Sequence, residues 1–228
     1  MWQELRRELR PKGLEIVTVA LDTGGAQAAR PWIEAAHPDH PALIDQAHVM
    51  DARFGIVNVP SGIWINEIGV IVRPPETAYP RRPRFLDMEI PLNAAPEVIE
   101  RVTLVKSLRI EAERYVAALR DWVMRGDQSR FALGPDEVIH RSRPRPLSEA
   151  EAAAHFELGQ HLHRVGNPEA AVTHFRAAYR LHPDNWTYKR QAWSLLVRGR
   201  TATEVYGGDW LSDVRKIGAE HYYPPLDL

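Results

Sequence analysis

The sequence feature that most constrains the fold is a short, almost continuous apolar run, LEIVTVAL, at residues 14–21. It is rich in β-branched residues and lies between a Pro-Lys-Gly stop and an Asp-Thr-Gly-Gly turn. A strand that is covered on both faces carries such a run, and strands of this kind occur in parallel sheets. The run therefore predicts an α/β domain, with a helix over residues 2–10 before the strand.

A second pair of strands is predicted by the apolar triplets IWI and VIV, at residues 63–65 and 70–72, which are joined by the polar turn NEIG. Two short strands around such a turn predict a β-hairpin. Farther along, residues 127–147 have the composition of a linker, and Ser148 with Glu151 matches a capping box that opens a helix. The predicted organisation is a first domain over 1–126, helices over 148–200 and a C-terminal tail over 201–228.

Composition limits the function classes. Of the 228 residues 44% are apolar, enough for a core, and the formal net charge of -1 argues against a nucleic-acid binder held by a basic field. No apolar run approaches the length of a membrane span, and the N-terminus lacks the apolar core of a signal peptide. A chain that starts at Met1 is expected in the cytoplasm; a start lying upstream would leave its location unknown.

Cysteine is absent, which excludes disulfides, thiolate metal sites and thiol nucleophiles from this chain. His155, His161 and His163 lie on one predicted helix, but their spacing does not place three imidazoles on one face. We therefore expect no metal, no cofactor and no catalytic residue.

Residues 13–75 resemble the thioredoxin-like redoxins of the TlpA/ResA type. The matching pieces are GLEIVTVALD, HPALID and NVPSGIWINEIGVIVRP. In that family the proline after valine forms a cis peptide bond and presents the preceding backbone to an extended peptide or thiol partner. The resemblance thus implies a cis bond at Pro60 and a substrate-binding role for Val59 and Pro60.

The chain departs from the family where the redox chemistry is expected. By this resemblance, the central strand and the Cys-x-x-Cys turn would precede Met1. We therefore expect an incomplete thioredoxin-like α/β domain, whose strands at 14–21 and 59–65 lack a shared neighbour. Three alternatives remain for these strands. They pair directly with each other, a second chain supplies the missing strand, or the chain is an incomplete gene product. The third alternative is preferred. In that case the redox residue, a cysteine or a selenocysteine, is encoded upstream of Met1, and a selenocysteine codon is easily read as a stop.

Residues 152–185 resemble a tetratricopeptide unit, which is a pair of antiparallel helices. The positions that match its pattern are Leu158, Gly159, Leu162, Gly166, Ala171, Phe175, Ala178 and Pro183. Such a hairpin either provides a protein-docking surface or packs within its own chain. We expect it to pack on the first domain or on a partner, because fewer than about three units rarely stand alone.

Two functions follow from these resemblances. In the first, the complete protein is a thiol–disulfide or selenol oxidoreductase, and the present chain is catalytically silent by itself. In the second, it is a redox-inactive module that binds a protein or peptide through the cis-proline groove and the helical hairpin. Both leave a homo-oligomer open.

Overall fold

The computed structural model describes residues 2–142 and 144–228. Over these residues the chain is mostly helical, 56% when short 3-10 helices are included, with eleven α-helices and two sheets of two strands each. The strands are β1 Thr18–Leu21, β2 Ala42–Asp45, β3 Ser61–Ile65 and β4 Ile71–Thr77. The helices are α1 Trp2–Leu9, α2 Gly25–Ala36, α3 Val49–Phe54, α4 Pro96–Lys106, α5 Ala112–Arg125, α6 Pro135–Ser142, α7 Leu147–Arg164, α8 Pro168–Leu181, α9 Trp186–Ser194, α10 Ala202–Tyr206 and α11 Trp210–Ile217. Within this part of the chain, no helix is at once long and apolar enough to pass through a lipid bilayer.

The prediction of a thioredoxin-like α/β fold is wrong. β1 pairs in parallel only with β2, and β3 pairs antiparallel only with β4, so the described residues form no continuous sheet. Direct pairing of the strands at 14–21 and 59–65, one of the three alternatives left open by the sequence, does not occur among them. The residues of β1 are half-buried rather than covered on both faces. Apolar runs identify extended segments, but they do not determine which segments share hydrogen bonds.

The local predictions in the first domain hold better. α1 matches the expected helix, and β3 and β4 form the expected hairpin around the NEIG turn. β2 is not predicted from the sequence, because it is only four residues long and places the side chain of Leu43 in solvent. The segment 127–147, expected as a linker, contains α6.

Three apolar clusters hold the helices and strands together. The first joins α1, the β3–β4 hairpin and α5, around Trp64 and Tyr115. The second joins α9, α11 and residues 219–223, around Trp186 and Tyr222. The third lies between α7, α8 and α9. The clusters combine residues from both ends of the sequence, because Leu226 belongs to the first cluster with Leu5 and Leu9.

Candidate functional site

The Val59–Pro60 peptide bond is cis, as predicted, and lies just before β3. Both backbone polar groups of Val59 already have partners within the chain. The N–H group of Val59 donates to Oδ1 of Asn58 at 2.9 Å, and the hydroxyl of Tyr223 donates to the carbonyl of Val59 at 3.2 Å. The backbone that the family resemblance assigns to a partner is therefore engaged by this chain's own side chains.

The groups that cover this corner belong to the YYPPLDL segment, residues 222–228. Nδ2 of Asn58 donates to the carbonyl of Tyr222 at 3.0 Å, and the hydroxyl of Tyr79 donates to that of Tyr223 at 2.8 Å. The ring of Tyr222 packs edge-on against Trp186, with the centroids 4.6 Å apart. These contacts fix the start of the YYPPLDL segment against the cis-proline corner.

The other end of the YYPPLDL segment is bound through its backbone by α5 and the residue before it. Nη1 of Arg114 donates to the carbonyl of Leu226 at 3.0 Å, and Nη2 donates to the O atom of Leu228 at 2.6 Å. The N–H group of Leu226 donates to Oε2 of Glu111 at 2.9 Å. The side chain of Leu226 is buried in the first apolar cluster. The site thus combines main-chain hydrogen bonds with one apolar anchor.

Asp227 lies against two further arginines. Nη2 of Arg73 and Nη1 of Arg141 both donate to its carbonyl, at 2.8 and 3.0 Å. Nη1 of Arg141 also lies 3.0 Å from Oδ2 of Asp227. The Arg73 guanidinium is almost fully buried, 5.3 Å from the ring centroid of Trp64. Because these hydrogen bonds carry a charge on the donor, they are stronger than neutral ones.

The electrostatics of the site centre on a buried pair. Nε of Arg73 lies 2.9 Å from Oε1 of Glu76. Burial raises the pKa of Glu76 to about 7, although the nearby Arg73 charge acts in the opposite direction. Within the described residues, Nη1 of Arg73 has no hydrogen-bond acceptor. Nε of Arg73 and Oε1 of Glu76 also lack hydrogen-bond geometry, so the pair is held by charge attraction within an enclosed space.

Beyond Leu228 the site continues into an open cavity of roughly 540 Å³. Its lining includes three arginines, one carboxylate and one aromatic ring: Arg114, Arg125, Arg130, Asp121 and Phe131. Nε of Arg125 lies 3.1 Å from Oδ1 of Asp121, so Arg130 carries the unbalanced charge of this lining. The guanidinium of Arg130 lies 4.6 Å from the ring centroid of Phe131. This surface adds positive charge and a flat apolar face next to the bound segment.

The residues predicted as a tetratricopeptide-like motif lie on α7, α8 and the turns that follow these helices. Gly159 faces Phe175 so closely that a Cβ atom on the glycine would lie 2.7 Å from the ring. Ala171, Phe175 and Ala178 are buried between the helices, whereas Leu158 is exposed. The remaining three are the partly buried Leu162, the turn residue Gly166 with a φ of +82°, and the exposed Pro183 after α8.

The α7–α9 face is already covered by the first domain. The ring of Phe156 stacks on Tyr188 with centroids 4.2 Å apart and contacts His48 edge-on at 5.2 Å. The N–H group of Trp186 donates to the carbonyl of Val57. Because this face contacts its own chain, it does not supply a free docking groove.

A buried polar group that the sequence analysis missed lies at the same junction. Nδ1 of His48 is 2.9 Å from Oδ2 of Asp51, and Nε2 is 3.5 Å from Oγ1 of Thr23. The order hydroxyl, imidazole and carboxylate is that of a nucleophilic triad. However, all three residues are almost fully buried, and Gln160 donates to the Thr23 hydroxyl. The spacing of His48 and Asp51 was the only available signal; Thr23 is brought there by the tertiary fold.

Among the described residues, no group of three or more His, Asp or Glu side chains is arranged to hold a metal ion. No protein-family model, curated protein or solved structure matches the chain. The functional conclusion therefore depends on the geometry of the site alone.

Proposed function

We propose that this protein is a non-catalytic peptide-binding module that takes up an extended peptide containing leucine and acidic residues. The site is the groove between the cis-proline corner and the cavity beyond Leu228. The observation that carries the proposal is that Arg114, Glu111 and Arg73 bind the YYPPLDL segment mainly through its backbone.

Backbone recognition makes the site transferable to another peptide. Hydrogen bonds to main-chain groups provide affinity for an extended segment, and a pocket for one side chain provides selectivity. In this site the pocket holds Leu226, which is almost fully buried. A peptide from another protein that presents a leucine in the same register would make the same contacts.

Charge favours an acidic peptide. Arg73, Arg114 and Arg141 lie around the bound segment, and Arg125 and Arg130 line the adjoining cavity. All of these except Arg130 also pair with a carboxylate of this chain, so the preference for an acidic peptide rests on Arg130 and on the contact of Arg141 with the Asp227 carboxylate. A carboxylate is the acceptor that matches a guanidinium best.

The oxidoreductase activity implied by the resemblance stays a prediction. It requires a thiolate or selenolate, and this sequence contains no Cys. The peptide-binding function needs no residue beyond those described in the site.

The proposal is tested with the full chain and a fluorescent YYPPLDL peptide, with binding measured by fluorescence anisotropy. In the wild-type chain the segment in cis competes with the peptide, so binding is weak. Leu226→Ala removes the apolar anchor of the cis segment and should strengthen peptide binding at least about tenfold, because burial of a leucine contributes well over 1.4 kcal/mol. Asp227→Ala gives a milder increase and leaves the core intact.

Specificity is tested in the Leu226→Ala background. Adding Arg114→Met should abolish binding, while the matched control Arg53→Met, on an exposed residue of α3, should leave it unchanged. A peptide with alanine in place of its leucine should not bind. If Leu226→Ala and Asp227→Ala chains bind the peptide no better than the wild type, the segment is merely structural and the proposal is wrong.

A further inference from the structure

Two histidines from neighbouring helices meet outside the peptide-binding groove. His155 lies on α7 and His174 lies on α8, and their Nδ1 atoms are 2.8 Å apart. The ring centroids are 5.1 Å apart with the planes tilted by 31°. The two Nδ1 atoms thus face each other at hydrogen-bond distance, and the tautomers determine which ring donates.

The helix pair around them is tightly packed. Each histidine directly precedes a buried phenylalanine, Phe156 or Phe175, and these two rings are 5.8 Å apart. Small buried residues, Ala152 and Ala171, allow the helices to approach closely. The separation of the histidines is therefore determined by the packed core between the helices and not by two independent flexible chains.

A carboxylate lies on the far side of one ring. Nε2 of His155 is 3.9 Å from Oε1 of Glu151, one helical turn earlier. A histidine that ligates a metal through one nitrogen usually directs its other N–H group to a carboxylate, which orients the ring and raises its basicity. His155 directs Nδ1 toward His174 and Nε2 toward Glu151, and the latter distance must shorten by about half an ångström to form that hydrogen bond.

We propose that His155 and His174 form a two-histidine site for a borderline divalent transition metal such as Zn²⁺ or Ni²⁺. Metal–nitrogen bonds of about 2.0–2.1 Å in tetrahedral geometry place the two nitrogens roughly 3.3–3.4 Å apart. The side chains reach this geometry when the nitrogens move apart by about half an ångström and both rings turn toward a common point, and the metal replaces the hydrogen bond between them. Solvent molecules complete the coordination, and Glu151 acts as a positioning residue.

The test uses the full chain with ZnCl₂ or NiCl₂, followed by isothermal titration calorimetry and by the thermal unfolding midpoint. The wild type should bind one ion and show a higher midpoint. Either His155→Gln or His174→Gln should weaken the affinity at least about tenfold and remove the shift. The control is the double variant His161→Gln/His163→Gln, on the same helix, which should behave as the wild type.

Glu151→Gln should weaken metal binding by up to about tenfold, while Glu157→Gln, an exposed residue of the same helix, should not. If Glu151→Gln binds the metal with unchanged affinity, Glu151 does not position His155. If all histidine variants show the same midpoint shift, or the wild type shows none, the two-histidine site does not exist.

Discussion

Nε2 of Gln160, on α7, donates a 3.1 Å hydrogen bond to Oγ1 of Thr23, in the turn that follows β1. Both side chains are almost fully buried. The backbone N–H group of Thr23 also donates to Oε1 of Gln191, on α9, at 2.9 Å. Residues 137 positions apart are thus joined by a polar contact within the interior. This contact links the helical hairpin to the first domain.

Gln160→Leu should lower the free energy of unfolding by about 1–3 kcal/mol, because a buried hydroxyl at Thr23 loses its donor. The measurement is urea denaturation, in which the midpoint should fall with little change in slope. Glu157→Gln, exposed on the same helix, serves as the control and should change stability by less than about 0.5 kcal/mol. Thr23→Val combined with Gln160→Leu should cost less than the sum of the single changes, since both partners are then removed. Additive losses would contradict a direct coupling.

Gly159→Ala should destabilise the protein although alanine favours helices. The new Cβ atom would lie 2.7 Å from Cε1 of Phe175, in a packed core. Overpacking of this kind costs about 1–3 kcal/mol, whereas the gain in helix propensity is about 1 kcal/mol. Differential scanning calorimetry should show a lower Tm. Gly134→Ala is the matched change, because its Cβ would meet no atom within 4 Å, and an equal Tm loss in both variants would exclude the steric explanation.

Lys189→Met should break a buried ion pair. Nζ of Lys189 lies 2.9 Å from Oδ2 of Asp213 and 4.4 Å from the ring centroids of Tyr179 and Trp186. Removing the cation leaves the buried carboxylate with only the more distant, mostly exposed Lys216 cation and the Tyr179 hydroxyl, a loss of up to about 3 kcal/mol. Guanidinium denaturation measures the loss. Lys216→Met provides the contrast, since its side chain is mostly exposed and lies 3.6 Å from the same carboxyl group. Comparable losses in the two variants would show that burial of Lys189 is unimportant.

Glu76 should make stability fall as the pH rises from about 4.5 to about 7. Burial raises the pKa of Glu76 to about 7 in the folded protein, from an ordinary value of 4.5. The folded state therefore holds a proton that the unfolded state has already lost, and each unit of pH in this window reduces stability. The stabilising contribution is complete below pH 4.5 and is lost as the pH passes 7.

The measurement compares wild type with Glu76→Gln, which is neutral at every pH. The difference in unfolding free energy, wild type minus variant, should decrease by about 3 kcal/mol between pH 4.5 and pH 7.5. Glu67→Gln, in the exposed hairpin turn, should show no such trend. A difference that grows with pH would mean that the ion pair with Arg73 outweighs burial.

The elements that were predicted correctly depend on local patterns. The β3–β4 hairpin follows from two apolar triplets around a polar turn, and α1 follows from the spacing of Trp2, Leu5 and Leu9. The fold class failed because pairing between strands is not local. β1 pairs with β2, a segment of four residues whose pattern carries little strand signal. An apolar run indicates that a segment prefers to be buried, but it does not indicate which neighbouring segment will cover it.

The two proposed sites also divide into features that the sequence predicts and features that only the fold shows. The amino-acid sequence was enough to establish that this chain has no thiol chemistry of its own, because it contains no Cys, and to place a proline at the corner before β3. The folded arrangement was needed to show that Arg73, Arg114 and Arg141 converge on residues 226–228, and that His155 meets His174 rather than His161. The physical reason is that composition and spacing limit the chemistry available to a chain, whereas the packing of distant segments determines which groups meet.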